Sequence, residues 1–148
     1  MIRATLLSAV ALVVLFAPSR APAATQGFDC TLKGVSETFN GEKFPYTGTG
    51  TMTFDDVAGT VNYSFTLSNT LTFEGTGTAA LTPKGRIFGV VNTNSGGING
   101  SAIIEGKAAK DGSKFAAKIV AAIPNRLGPA PGGFVLSKIK VKGTKQVN

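Results

Sequence analysis

A chain of 148 residues has room for one ordinary domain and not for a second. Hydrophobic residues make up 43% of it and 19 positions are glycine, so a core can form, and turns and strands are favoured over helices. There is no histidine and a single cysteine, Cys30, which excludes catalytic triads, histidine-based acid/base work, most zinc or iron sites, thiolate metal sites and any disulfide within the chain. No cofactor is implied. The formal charge is +7.

The N-terminal segment carries Arg3, an apolar run from Leu6 to Phe16, Pro18, and then Ala21-Pro22-Ala23, the small-x-small pattern of a signal-peptidase site. The expectation is a cleavable secretory signal over residues 1–23 and one β-barrel domain over 24–148, exported to the periplasm or secreted. The apolar run, about 11 residues against the roughly 20 a bilayer demands, is too short for a span, so none is expected in the mature chain. Gly27-Phe28-Asp29 ahead of Cys30 do not suit lipid attachment, and Cys30 reads as a small buried thiol at the start of the first strand.

Period-two alternation then dominates. Phe44, Tyr46, Gly48, Gly50, Met52 and Phe54 share one face, with Thr47, Thr49, Thr51 and Thr53 on the other. Val61, Tyr63, Phe65 and Leu67 repeat the pattern, as do Leu71, Phe73, Gly75, Gly77, Ala79 and Leu81. Turn residues divide the runs at Asn40-Gly41, Ala58-Gly59, Ser68-Asn69-Thr70, Pro83-Lys84-Gly85, Ser95-Gly96-Gly97 and Asp111-Gly112. Asp111-Gly112 suits a two-residue loop with Lys110 opposite Ser113, and Pro83-Lys84-Gly85 a three-residue loop.

Eight strands result, at 28–38, 43–55, 60–67, 71–82, 86–93, 98–109, 113–122 and 133–144. The first is in conflict with itself: a tight Asn40-Gly41 hairpin turns Phe39 inward, while Phe28, Cys30 and Leu32 imply the opposite parity, so a bulge or longer loop is needed there. Eight antiparallel strands with short links read as an up-and-down, calycin-like barrel that removes its edges by closing strand one on strand eight. A two-sheet β-sandwich is the alternative. An outer-membrane barrel fits poorly, because the faces opposite the apolar ones are rich in threonine and lysine, and aromatic girdles are missing.

No residue pattern supports catalysis, and the reading is non-enzymatic. Asp55-Asp56 stand beside a turn, where aspartate bonds its own backbone. An eight-stranded barrel is wide enough either to fill itself with side chains or to hold one small ligand. The candidates for lining such an apolar cavity are Phe44, Tyr46, Met52, Phe54, Tyr63, Phe65, Phe73 and Ile87. Residues 124–133, with three prolines, form the one long connection, either a plain connector or a lid or partner-binding loop.

Charge is unevenly spread. From Ala24 to Leu81 the balance is −4 and from Thr82 to Asn148 it is +9. Lys138, Lys140 and Lys142 share a face of the last strand and, with Lys107, Lys114 and Lys118, form a candidate basic face for an anionic surface or polymer, or for the acidic half of another copy. Only Phe134 is an aromatic near these lysines, so there is no specific nucleic-acid signal. Stretches such as Tyr46-Thr47-Gly48-Thr49-Gly50 and Gly132-Gly133-Phe134 resemble lipocalin-like barrels and the barrels of bacterial surface receptor proteins at the level of fold. They single out no family and assign no site residues. The expected function is an exported small barrel binding an apolar ligand inside, with a surface-interaction or structural protein acting through its basic face as the alternative.

Overall fold

The computed structural model describes residues 25–82, 84–124 and 133–147. The expected signal at 1–23 and most of the proline-rich connection lie outside these residues. Eight strands follow in chain order: β1 (Thr25–Glu37), β2 (Lys43–Asp55), β3 (Thr60–Leu67), β4 (Thr72–Leu81), β5 (Arg86–Ser95), β6 (Ile98–Ala108), β7 (Lys114–Pro124) and β8 (Phe134–Lys145). Each pairs antiparallel with the next, and β1 pairs with β8, giving a closed barrel. The sandwich alternative is thereby set aside. No helix among the described residues is long and apolar enough to cross a membrane.

Alternation is the reason these residues form these strands. Val61, Tyr63, Phe65 and Leu67 are buried, and Asn62, Ser64 and Thr66 between them are exposed. Phe65, Met52, Ile104, Ile119, Ile139, Val61, Val91 and Val141 are the largest fully buried side chains, and they fill the middle of the barrel. Inward glycines let neighbouring strands approach closely: a Cβ on Gly77 would come within 2.6 Å of Val91 Cα, and one on Gly106 within 2.6 Å of the Ala116 carbonyl oxygen.

One conflict about turns is settled, by the longer loop expected after the first strand, and one expectation is corrected. Phe39 does not face inward; it is 84% exposed in the connection between Glu37 and Lys43, where Gly41 takes φ 80° and a type I turn closes with Gly41 N–H donating to the Thr38 carbonyl. The longer loop releases the first strand to keep Phe28, Cys30 and Leu32 inside. The Asp111-Gly112 connection is four residues rather than two, because Ala109 N–H bonds the Lys114 carbonyl and Gly112, at φ 68°, completes a type I turn from Ala109. Asp55 acts as a turn residue, its Oδ1 accepting from the N–H groups of Val57 and Ala58 at 3.1 and 2.8 Å.

Candidate functional site

The two ends of the barrel differ. The end at which β1 begins and β8 finishes is plugged by Phe28, Phe54 and Phe115, whose rings meet edge-to-face with centroids 5.0–5.9 Å apart. The void left beside them, bounded by Gln26, Ile87 and Ala108, is about 30 Å³, the share of a single water.

Among the described residues, the opposite end opens into a cup of about 360 Å³, within the range of small-molecule sites. Its apolar wall comes from Phe44, Leu67, Leu71, Phe73, Ile98 and Ile123. One side is polar: Ser36 and Ser137, directly opposite each other where β1 meets β8, share a hydrogen bond of 2.7 Å. The Tyr46 hydroxyl lies beside this pair; burial raises its pKa, and the hydrogen-bonding influence of Ser137 and Ser36 pulls it partly back. Tyr46 is brought there by its ladder partner Gly34, whose missing side chain leaves room for the ring.

One layer below, Tyr63 stacks on Phe65 at 5.1 Å and packs against Phe73 at 5.3 Å. Burial, with a smaller contribution from nearby Tyr46, holds the Tyr63 pKa well above its ordinary value. The Tyr63 hydroxyl and Thr93 Oγ1, on either side of Gly75 in the ladder, are buried without hydrogen-bond partners among the described residues. Such groups cost roughly 1–3 kcal/mol each.

The eight expected cavity residues are therefore divided. Phe44, Tyr46 and Phe73 line the cup, and Tyr63 lies beneath Phe73. Met52 and Phe65 are packed solid in the middle, while Phe54 and Ile87 lie at the plugged end. Alternation marks which residues point inward but not their height along the barrel. Leu67, Leu71, Ile98, Ile123, Ser36 and Ser137 also line the cup and are not among the eight expected residues.

The six lysines of the expected basic face are all exposed on the outer wall. Lys118, Lys140 and Lys33 stand directly opposite one another on β7, β8 and β1, with Lys138 and Lys142 flanking Lys140 along its strand. Lys107 faces Ala116 one strand further out, and Lys114 faces Thr144 toward the plugged end. Lys33 belongs by sequence to the acidic half, and barrel closure brings it into the basic row.

No model of a known protein family matches the chain, and no curated protein matches it in sequence. The fold is similar to part of transferrin binding protein B. The matched structure is a mutant of that vaccine antigen from Haemophilus parasuis Hp5, with a TM-score of 0.59 and 10% sequence identity over 85% of this chain. The chain spans 27% of that protein's length, and at this identity the likeness concerns the barrel fold alone. Among the described residues, no three Cys, Asp or Glu side chains gather as metal ligands would.

Proposed function

We propose that this protein is an exported, non-enzymatic binding barrel that takes a small, largely apolar molecule with one hydrogen-bonding end into the cup at its open mouth. The asymmetry of the two ends carries this reading. A barrel folded only for stability gains nothing from leaving Leu67, Phe73, Ile98 and Ile123 around a 360 Å³ recess while sealing its other end with three phenylalanines. The Ser36–Ser137–Tyr46 group supplies both donors and acceptors on an otherwise apolar wall, the composition by which small-molecule sites fix orientation. The unpartnered hydroxyls of Tyr63 and Thr93 are buried beneath the cup and do not line it, so the Ser36–Ser137–Tyr46 group is what meets the polar end of the molecule.

Export rests on the signal-like segment, and a binding role is compatible with the similarity to a protein named for binding transferrin. Transferrin is not carried over as a partner, because the likeness covers only a barrel-sized part of that protein. On β3 and β8 the outer wall bears Asn62, Ser64, Thr66, Lys140 and Lys142, unlike a lipid-facing belt, while Phe88, Val90 and Ile103 form a small exposed apolar patch on β5 and β6.

Native mass spectrometry of the purified protein, beside a solvent extract of the same sample, tests the proposal. A removable small-molecule increment, lost when the rim residue Leu71 is replaced by tryptophan to fill the cup, is the expected result. A bare protein that takes up fluorescent apolar probes no better than Leu71→Trp overturns it.

A further inference from the structure

A second recess, of about 830 Å³, crosses the outer wall where the barrel closes, over β8, β1, β2 and β3. At one side stand Lys140 and Lys142 of β8 and Lys33 of β1; its floor continues over Thr47, Thr49 and Thr66. Four adjacent strands give it a span of about 14 Å.

The lysine arrangement is unfavourable for the free protein. Like charges directly opposite in a sheet repel, and Lys118, Lys140 and Lys33 form an unbroken row of three. The carboxylates closest in register flank this row instead of entering it. Glu105 faces Lys118 on the outer side, and Asp29, which accepts a 2.8 Å hydrogen bond from Gln146, is diagonal to Lys142. A row of positive charge beside a concave, hydroxyl-lined floor is complementary to an anion that is elongated rather than flat.

We infer that the Lys33–Lys140–Lys142 groove across the β8–β1 closure binds a linear anionic polysaccharide, its charged groups on the lysines and its sugar hydroxyls on the threonines. Three features favour this occupant. None of the lining residues is aromatic, so the stacking platforms that hold single-stranded nucleic acid are missing. A lipid surface is planar and is held by apolar or aromatic residues standing exposed among the basic ones, whereas the apolar residues that line this groove, Leu32 and Leu67, are buried and threonines cover most of its floor. The threonine row, with its short hydroxyl side chains, offers donors and acceptors along the groove to which sugar hydroxyls can bond. This site is on the outside of the barrel and does not depend on the cup being a ligand site.

Binding of dextran sulfate to the purified protein at low salt, measured by isothermal titration, tests the inference. The variant Lys33→Gln/Lys140→Gln/Lys142→Gln is compared with Lys43→Gln/Lys84→Gln/Lys110→Gln, which removes the same charge from elsewhere on the surface. The expected result is a loss of about tenfold or more in affinity, and a salt dependence shallower by about 2–3 counterions, for the groove variant only. Removing the like-charge row should also leave the groove variant at least as resistant to heat as the parent, which separates loss of binding from loss of fold. Equal losses in the two variants, or binding of phosphatidylglycerol vesicles or single-stranded DNA as tight as that of dextran sulfate, overturn it.

Discussion

The ring of Tyr46 lies across Gly34, the residue directly opposite it in the β1–β2 ladder, and a Cβ on Gly34 would come within 2.6 Å of the tyrosine hydroxyl. The same device recurs where Tyr63 covers Gly75 and Phe115 covers Gly143. Gly34→Ala should therefore cost about 1–3 kcal/mol, the usual toll of overpacking, and push the Tyr46 ring into the cup. Urea unfolding reads the first effect, and reduced uptake of an apolar probe reads the second. Tyr46→Phe, which keeps the ring in place, should change stability far less while weakening ligands that hydrogen-bond.

Phenylalanines at the two ends should respond differently to truncation. Phe54→Ala removes a ring from the plug and should cost roughly 3–5 kcal/mol. Phe44 is 53% exposed at the rim of the cup, so Phe44→Ala should cost under about 1 kcal/mol and act on ligand capture instead. Chemical denaturation of the two variants side by side makes the comparison; equal losses would mean that Phe44 belongs to the core.

Cys30 is 4% exposed, and burial, reinforced by the neighbouring Asp29 charge, pushes its thiol up to about 12. It should resist iodoacetamide at pH 8 in the folded protein and react once the chain is unfolded in urea. Full labelling of the native state within minutes would contradict the burial.

The same group makes stability depend on alkaline pH, along with Tyr46 and Tyr63, which are also raised by burial. An acid whose pKa is higher in the fold loses its proton first in the unfolded chain. Its contribution is complete below the unfolded value and is lost as pH rises, between 9.0 and about 12 for Cys30. Midpoints of urea unfolding should fall over this window, and the fall should be shallower in Cys30→Ala/Tyr63→Phe.

Thr70, in the β3–β4 turn beside the cup, has φ 64°, a left-handed conformation that a β-branched residue adopts at a cost of about 1–2 kcal/mol. Glycine removes that cost but gives back about 0.5–1 kcal/mol through its greater freedom when unfolded. Thr70→Gly should thus stabilise the protein by no more than about 1 kcal/mol, seen as a higher urea midpoint.

Most of the barrel was legible because its signal is local. The alternation of Val61, Tyr63, Phe65 and Leu67 against Asn62, Ser64 and Thr66 depends only on neighbours in sequence, and the expected and observed bounds of β2 and β3 coincide. The basic row was only partly legible, since nothing near Lys33 in sequence reveals that it faces Lys140. The cup was legible in its residue types and not in its position. Phe44 and Phe54 belong to one inward-facing run of one strand, yet ten residues along it separate rim from plug. The pairing of Ser36 with Ser137 depends on the register of closure, which no short segment encodes.

That pairing joins residues 101 apart in the chain. The barrel cannot close until its last strand is available, and the entropy of bringing such distant segments together is spent before their contacts form. Folding should be slow for a domain of this size, and until β8 docks, the outer edges of β1 and β7 remain open to any strand that comes near. A chain truncated before Phe134 would keep nearly all of its hairpins and still be prone to join with its copies, because the completed circle is what keeps the sheet to itself.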